Sequence, residues 1–423
     1  MTAARTTSTP DVRRTVLANG IPVVTERMPE ARSVTTGFWV AVGGRDEAPS
    51  LAGASHFLEH LIFKGTVTRA ARDIAESIDA VGGEMNAFTS REHTAFYTRL
   101  PADAYALGLE ILCDVLSQPS LRADDVDAER EVILEELALS QDTPDDKVHS
   151  LLADAVFPEH PLGREVLGDE DTVAAMTRDD VAAFFGDHYR PASFVIAAAG
   201  RLEHDEVVEQ VRGFLDGVDP GARPVRTAPA ADPVAQVVFH RATEQAHLSF
   251  GWRAFDQTDE DRFPLAVANQ VFGGGLSSRL FQEIREERGL AYSVYSGSSL
   301  YTDSGLVMAY VGTAPNRAHE AIEVVDEQVA LLVAEGITEH ELTVASGYLI
   351  GSLLLNLEDS GSRMGRLGRG ELSPMEMLSV DEQVARLRAV TVEDVQRVVR
   401  RVLSQPRTLA VVGPFDEELN YRS

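Results

Sequence analysis

Positive charge is scarce in this chain. Its 38 Lys and Arg residues stand against 67 Asp and Glu, a formal net charge of −29. Such a polyanion repels phosphate backbones and anionic headgroups, which excludes nucleic acid and membrane surfaces as main partners. Cationic ligands, basic peptides among them, stay compatible, as does acidity that serves solubility alone. Cysteine is almost missing. Cys113 is the single one, so no disulfide can close within the chain. It lies in an apolar helical run, Ala106 to Leu116, where it reads as a small hydrophobe rather than a nucleophile. Long hydrophobic runs are missing too: no apolar stretch reaches the roughly 18 residues a membrane span needs. Residues 1–10 are polar, rich in Thr and without the apolar core of a signal peptide. They are expected to be disordered, and the protein to be cytoplasmic.

What is present is a globular composition, 44% hydrophobic and 25% charged, over 423 residues, more than one hydrophobic core accommodates. The chain also repeats itself. Arg178-Asp-Asp-Val-Ala-Ala-Phe-Phe leads through Tyr189-Arg-Pro to Phe194-Val-Ile-Ala-Ala-Ala-Gly200. Val392-Glu-Asp-Val-Gln-Arg-Val-Val leads through Gln405-Pro to Thr408-Leu-Ala-Val-Val-Gly413. Both read as an amphipathic helix, a turn and a buried strand, offset by 213 to 214 positions. Nearly the same offset relates Thr94–Leu100 to Leu306–Gly312 and the helix 124–137 to 339–352. Two similar domains follow, 11–218 and 232–423, joined by the Pro- and Ala-rich linker 219–231. Strands are expected at 34–42 and 95–100 and helices at 70–81 and 104–117. The class is α+β, each domain an antiparallel sheet with helices packed on one face.

Chemistry concentrates at His56-Phe57-Leu58-Glu59-His60. On a helix, histidines four apart face the same way, at a spacing suited to one metal ion. Glu59 lies beside such a site without being forced into it, where a general base would have to stand. This order is the inverse of the commoner H-E-x-x-H zinc-protease motif; the alternative is two surface histidines beside a helical Glu. A third ligand must come from elsewhere. On the helix 124–139 the inward stripe is Val126, Glu129, Ile133, Glu136 and Leu137, while Glu131 and Glu135 lie off it. A carboxylate on a buried stripe is costly unless paired or metal-bound. Glu136 is thus a ligand candidate and Glu129 a supporting group or an alternative; pairing of both with arginines is the competing reading.

With Glu136 following 76 positions after His60, these motifs resemble the pitrilysin family of metallopeptidases, in the branch of the mitochondrial processing peptidase beta subunit and its bacterial half-size relatives. Gly82-Gly-Glu-Met-Asn-Ala-Phe-Thr-Ser-Arg-Glu and the run Gly273 to Val294 are similar to long family signatures. The resemblance implies one Zn2+ per chain on His56, His60 and Glu136, Glu59 as the base and Glu129 in support. It implies that Asn86, Ala87, Phe88 and Thr89 form an edge strand for the substrate backbone; an ordinary turn and strand is the alternative. It implies that Arg285 and Tyr292 donate hydrogen bonds to the substrate carbonyl, as catalytic partners of Glu59. A surface Arg and a core Tyr is the plainer reading, with Arg288 a nearby competitor. Expected substrates are extended or unfolded peptides, and the expected assembly is a homodimer with shared active sites. The alternative function is a non-catalytic metal-binding or core subunit of a processing or respiratory complex. The joint presence of His56, Glu59, His60 and Glu136 argues against it.

Overall fold

The computed structural model describes residues 11–416 and residue 419; the expectation for residues 1–10 lies outside them. The strands are β1 Asp11–Val16, β2 Pro22–Arg27, β3 Ser33–Val40, β4 Glu84–Thr89, β5 Thr94–Pro101, β6 Phe194–Gly200, β7 Gln236–His240, β8 Ala246–Ala254, β9 Ala291–Leu300, β10 Gly305–Thr313 and β11 Thr408–Gly413. The helices are α1 Ala54–Ile62, α2 Ala71–Asp79, α3 Tyr105–Ser117, α4 Ala123–Asp142, α5 Pro144–Val156, α6 Glu170–Ala175, α7 Arg178–His188, α8 His204–Val211, α9 Arg262–Phe272, α10 Ala318–Glu335, α11 Glu339–Asn356, α12 Ser360–Leu372, α13 Val380–Arg388 and α14 Val392–Leu403.

The repeat in the sequence is a repeat of topology. One sheet runs β1-β2-β6-β3-β5-β4 and the other β7-β11-β8-β10-β9. Apart from β1 the two orders superimpose strand for strand, down to direction. β2 and β6 are parallel, as are β7 and β11, and the remaining pairs are antiparallel. The α+β class therefore holds, but each sheet is mixed rather than purely antiparallel.

The helices also cover both faces of each sheet, not one. Successive strand residues point to opposite faces. β6 is buried along its whole length, so neither of its faces meets water. In unit 1, Trp39, Ala95, Val195, Ala197 and Ala199 pack against Met364 and Leu367 of α12. α3 lies close against Thr98 and Leu100, at Gly108. In unit 2, α5 packs through Val148, Leu152 and Val156 against Tyr310, Ala410 and Val412. The opposite face buries Leu248, Phe250, Ala309 and Val411 among residues of α9, α10 and α14.

The compact units are consequently not contiguous in sequence. Among the described residues, unit 1 comprises 11–135, 165–225 and 355–377, and unit 2 comprises 136–164, 226–354 and those from 378 onward. The sequence-derived domains 11–218 and 232–423 mark where the repeat turns over. The segments carrying α5 and α12 are exchanged across that boundary. The expected linker, 219–231, carries no regular secondary structure.

Candidate metal centre

α1 starts where the chain turns sharply at Gly53, whose φ of +94° suits glycine, with the Leu167 carbonyl oxygen only 2.6 Å from where a Cβ would sit. The buried Glu47 carboxylate then accepts the Gly53 and Ser55 backbone N–H groups, each at 2.7 Å. That satisfies donors left open at a helix start and sets a negative charge at the positive end of the helix dipole. His56 follows one residue after Ser55. One helical turn later comes His60, the two ring centroids 4.8 Å apart.

α4 is an unbroken 20-residue helix. Its buried positions are Val126, Glu129, Ile133 and Leu137, with Glu136 half-buried and Glu131 and Glu135 exposed, as the helical stripe requires. Glu129, only 6% exposed, places Oε2 3.0 Å from His60 Nδ1 and Oε1 2.5 Å from Lys64 Nζ. A carboxylate can only accept, so Nδ1 carries the proton and Nε2 keeps its lone pair for a metal ion. Seven residues on, Glu136 joins the histidines: His56, His60 and Glu136 each bring a ligand atom within 4.8 Å of the others. Among the described residues this is the only such group of three.

Two imidazoles and a carboxylate form a donor set of catalytic zinc sites. Burial, reinforced by the neighbouring His60, lowers the His56 pKa to about 4. His56 is then a neutral imidazole near pH 7, the form that binds a metal. The residues present fit zinc. Glu59 faces the strand side instead, where the Thr89 hydroxyl donates to its Oε2 at 2.6 Å. The Tyr189 hydroxyl, completely buried and close to Glu59 and Glu47, is held strongly protonated, by desolvation first and by the Glu59 charge second.

β4 is the terminal strand of its sheet, paired on one side only, with β5. Asn86, Ala87, Phe88 and Thr89 all lie on it. Their side chains alternate, so Thr89 and Ala87 share the face turned to α1 while Asn86 and Phe88 take the other. In unit 2, Arg285 and Tyr292 meet: the guanidinium carbon lies 4.4 Å from the Tyr292 ring centroid, and Tyr292 is 79% exposed on the edge strand β9. Tyr292 is thus not a core residue. Arg288, the competitor, is occupied by Glu327 and Glu283. Cys113 is half-buried, its thiol pushed up to about 12 by burial and by Asp114 and Glu110, which agrees with an inert residue.

Four features escaped sequence reasoning: the Glu47 cap, Lys64 on Glu129, Tyr189 near Glu59, and the bond from Thr89 to Glu59. Lys64 had a signal, since it follows His60 by one helical turn and can reach the same partner. Glu47 and Thr89 had none, because both act across turns whose geometry only the fold supplies.

Two family descriptions match the chain: "Insulinase (Peptidase family M16)" over residues 22–170 and "Peptidase M16 inactive domain" over 175–346. An uncharacterized zinc protease of Streptomyces coelicolor is 45% identical over 96% of this chain and 90% of its own length. One of Bacillus subtilis is 37% identical over 95% and 98%. Among solved structures, a protease from Helicobacter pylori superimposes with a TM-score of 0.90 at 21% identity, covering 96% of this chain and all of that one. A peptidase M16 inactive domain from Pseudomonas fluorescens gives the same TM-score at 20% identity, over 96% and 99%.

Proposed function

The chain belongs to peptidase family M16, and we propose that it is a zinc-dependent endopeptidase acting on extended or unfolded peptides. The observation that carries this reading is the meeting of His56, His60 and Glu136, with Glu59 beside them in sequence yet turned to Thr89. Zinc, when bound there, supplies Lewis-acid polarisation of the scissile carbonyl and acidifies water. Glu59 takes a proton at a carboxylate oxygen from the water that attacks the carbonyl carbon. It returns that proton to the amine nitrogen as the C–N bond breaks. Glu129 fixes the ring of His60. The unpaired edge of β4 offers N–H and C=O groups to an extended peptide, and strand addition of this kind selects unfolded segments. Arg285 and Tyr292 are donors suited to the carbonyl oxygen as charge develops on it.

The test is incubation of the zinc-loaded protein with a mixed peptide library, with and without a chelator, and mass spectrometry of the products. Chelator-sensitive cleavage is expected from the wild type. Glu59→Gln should keep its zinc and lose about 10²- to 10⁴-fold in rate, the range for a lost general base. No cleavage by zinc-loaded wild type would favour the non-catalytic subunit instead.

We propose further that the working form is a homodimer in which Arg285 and Tyr292 of one chain serve the zinc group of the other. Its support is that the chain resembles half-size family members that work in pairs. Mixing Glu59→Gln chains with Tyr292→Phe chains should restore about half the wild-type activity per mixed dimer, since one site then keeps both its base and its carbonyl donors. Demonstrated subunit exchange without recovery would place the pair in cis.

A further inference from the structure

We infer that Thr89 is a positioning residue for Glu59: its hydroxyl, held in place by a clamped turn at the end of β4, fixes the orientation of the carboxylate that moves the proton. The inference rests on the peptidase reading of Glu59.

The donor is close and directed. Thr89 Oγ1 lies 2.6 Å from Glu59 Oε2, and a hydroxyl bonded to a carboxylate belongs to the strong, charge-assisted class. A glutamate side chain has three rotatable bonds, and a general base must sit within hydrogen-bond reach of the proton it takes. One fixed oxygen removes most of that freedom before any substrate arrives.

The donor is also immobilised. Thr89 is the last residue of β4, opposite Thr94 at the first position of β5. The turn between them is closed by Ser90 and His93: the Ser90 N–H and hydroxyl both donate to the His93 carbonyl, each at 2.8 Å. The turn is then pinned from outside. Gly44 N–H donates to the Ser90 carbonyl at 3.1 Å and Arg45 N–H to the Arg91 carbonyl at 2.9 Å. A Cβ on Gly43 would come within 2.3 Å of the Ser90 oxygen, so the close approach requires glycine there. The Arg45 guanidinium, nearly completely buried, reaches across to Glu92 at 2.5 Å. Four consecutive residues beyond Thr89 are thus tied down.

A second consequence concerns the peptide. The Thr89 side chain is committed to Glu59, so only its backbone is available to a strand added on the edge of β4. The residue that closes the substrate-binding edge is the same residue that orients the base.

The experiment compares Thr89→Val, which removes the hydroxyl at nearly constant shape, with Thr89→Ser, which keeps it. Each zinc-loaded variant is assayed on a quenched fluorescent peptide, with zinc content measured in parallel. The apo form of Thr89→Val is crystallised. Thr89→Val should lose about 10- to 100-fold in kcat, the range of a hydrogen bond to a charged group, with KM within about twofold and zinc content unchanged. Thr89→Ser should recover to within about threefold of wild type. In the crystal of Thr89→Val the Glu59 carboxylate should have left its wild-type position. A kcat unchanged in Thr89→Val, a loss confined to KM, or a Thr89→Ser variant as impaired as Thr89→Val overturns the inference. So does a Glu59 carboxylate that stays in place without the hydroxyl. If the wild type itself cleaves nothing, the peptidase reading fails, and the crystal alone decides whether Thr89 orients Glu59.

Discussion

Replacing Glu47 with Ala tests how α1, the helix that carries His56 and His60, is held. Glu47 is 5% exposed, and both of its oxygens accept N–H groups from the start of α1 at 2.7 Å. The substitution removes a charged acceptor and leaves two buried donors, at Gly53 and Ser55, without it. A hydrogen bond to a charged group contributes about 1.5–3 kcal/mol, and loss of a helix cap costs about 0.5–2 kcal/mol. The two bonds share one carboxylate, whose own desolvation is relieved in the variant, so they do not add in full. The expected loss is about 2–4 kcal/mol. For a domain of this size that is about 4–16 °C in the unfolding midpoint of unit 1. Differential scanning calorimetry of the metal-free protein measures it directly. Glu47→Gln should fall about halfway, because its amide oxygen can still accept one N–H while its amino group faces the other donor. Since His56 lies one residue beyond Ser55, zinc affinity should weaken in the same order, Ala more than Gln. A midpoint within about 2 °C of wild type for Glu47→Ala would refute the reasoning, since that change corresponds to less than the smallest expected loss.

Glu136→Gln should weaken zinc binding by more than about 100-fold, beyond the loss typical of an outer partner, whereas the exposed Glu135→Gln should leave it unchanged; competitive titration against a chromogenic chelator decides, and equal losses would contradict the ligand assignment. His56 has a pKa near 4 in the folded chain against an ordinary 6.5, so the unfolded chain binds this proton first as pH falls, and the metal-free protein should lose up to about 3 kcal/mol between those values. In His56→Gln that part of the pH dependence of stability should flatten, and a denaturation series across the window showing the same slope would refute it. A fragment of residues 11–218 expressed alone should be insoluble or molten, and co-expression with residues 219–423 should restore folding. A cooperative thermal transition in the isolated fragment would count against this.

Much of this candidate site was open to a reader of the sequence, for a simple reason: its candidate ligands sit on two helices, and helices repeat every 3.6 residues. His56 and His60 are one turn apart, Glu129 and Glu136 two turns apart, and both pairs announce their shared face without any knowledge of tertiary structure. The repeat was legible because buried strands ending in Gly200 and Gly413 keep their apolar patterns at a constant offset. Contacts made across turns were not legible. The bond from Thr89 to Glu59 joins residues 30 positions apart, and the Glu47 cap depends on how the chain folds back between residues 47 and 53.

The exchange of helices between the two halves was the largest feature out of reach, and energetics explain both its importance and its invisibility. An amphipathic helix declares that it has an apolar face, never which sheet that face will meet. α5 has the same kind of pattern whether it covers β5 or β11, so sequence distance favours the nearer sheet, and the domains read as 11–218 and 232–423. The structure puts α5 in unit 2 and α12 in unit 1. In unit 1 the α12 contact buries five large apolar side chains: Val24, Trp39, Val195, Met364 and Leu367. At about 2 kcal/mol each they contribute on the order of 10 kcal/mol, as much as the whole net stability of an ordinary domain, about 5–15 kcal/mol. The packing is tight enough that a Cβ on Gly368 would come within 2.1 Å of Trp39 Nε1. A first half cut at the linker would keep the zinc motif, the edge strand and Glu59. It would lose the helix that closes one face of its sheet, and it would carry α5 with no sheet of unit 2 to cover. The unit that holds His56 and His60 therefore depends for its stability on a helix encoded some 300 residues later, between Ser360 and Leu372.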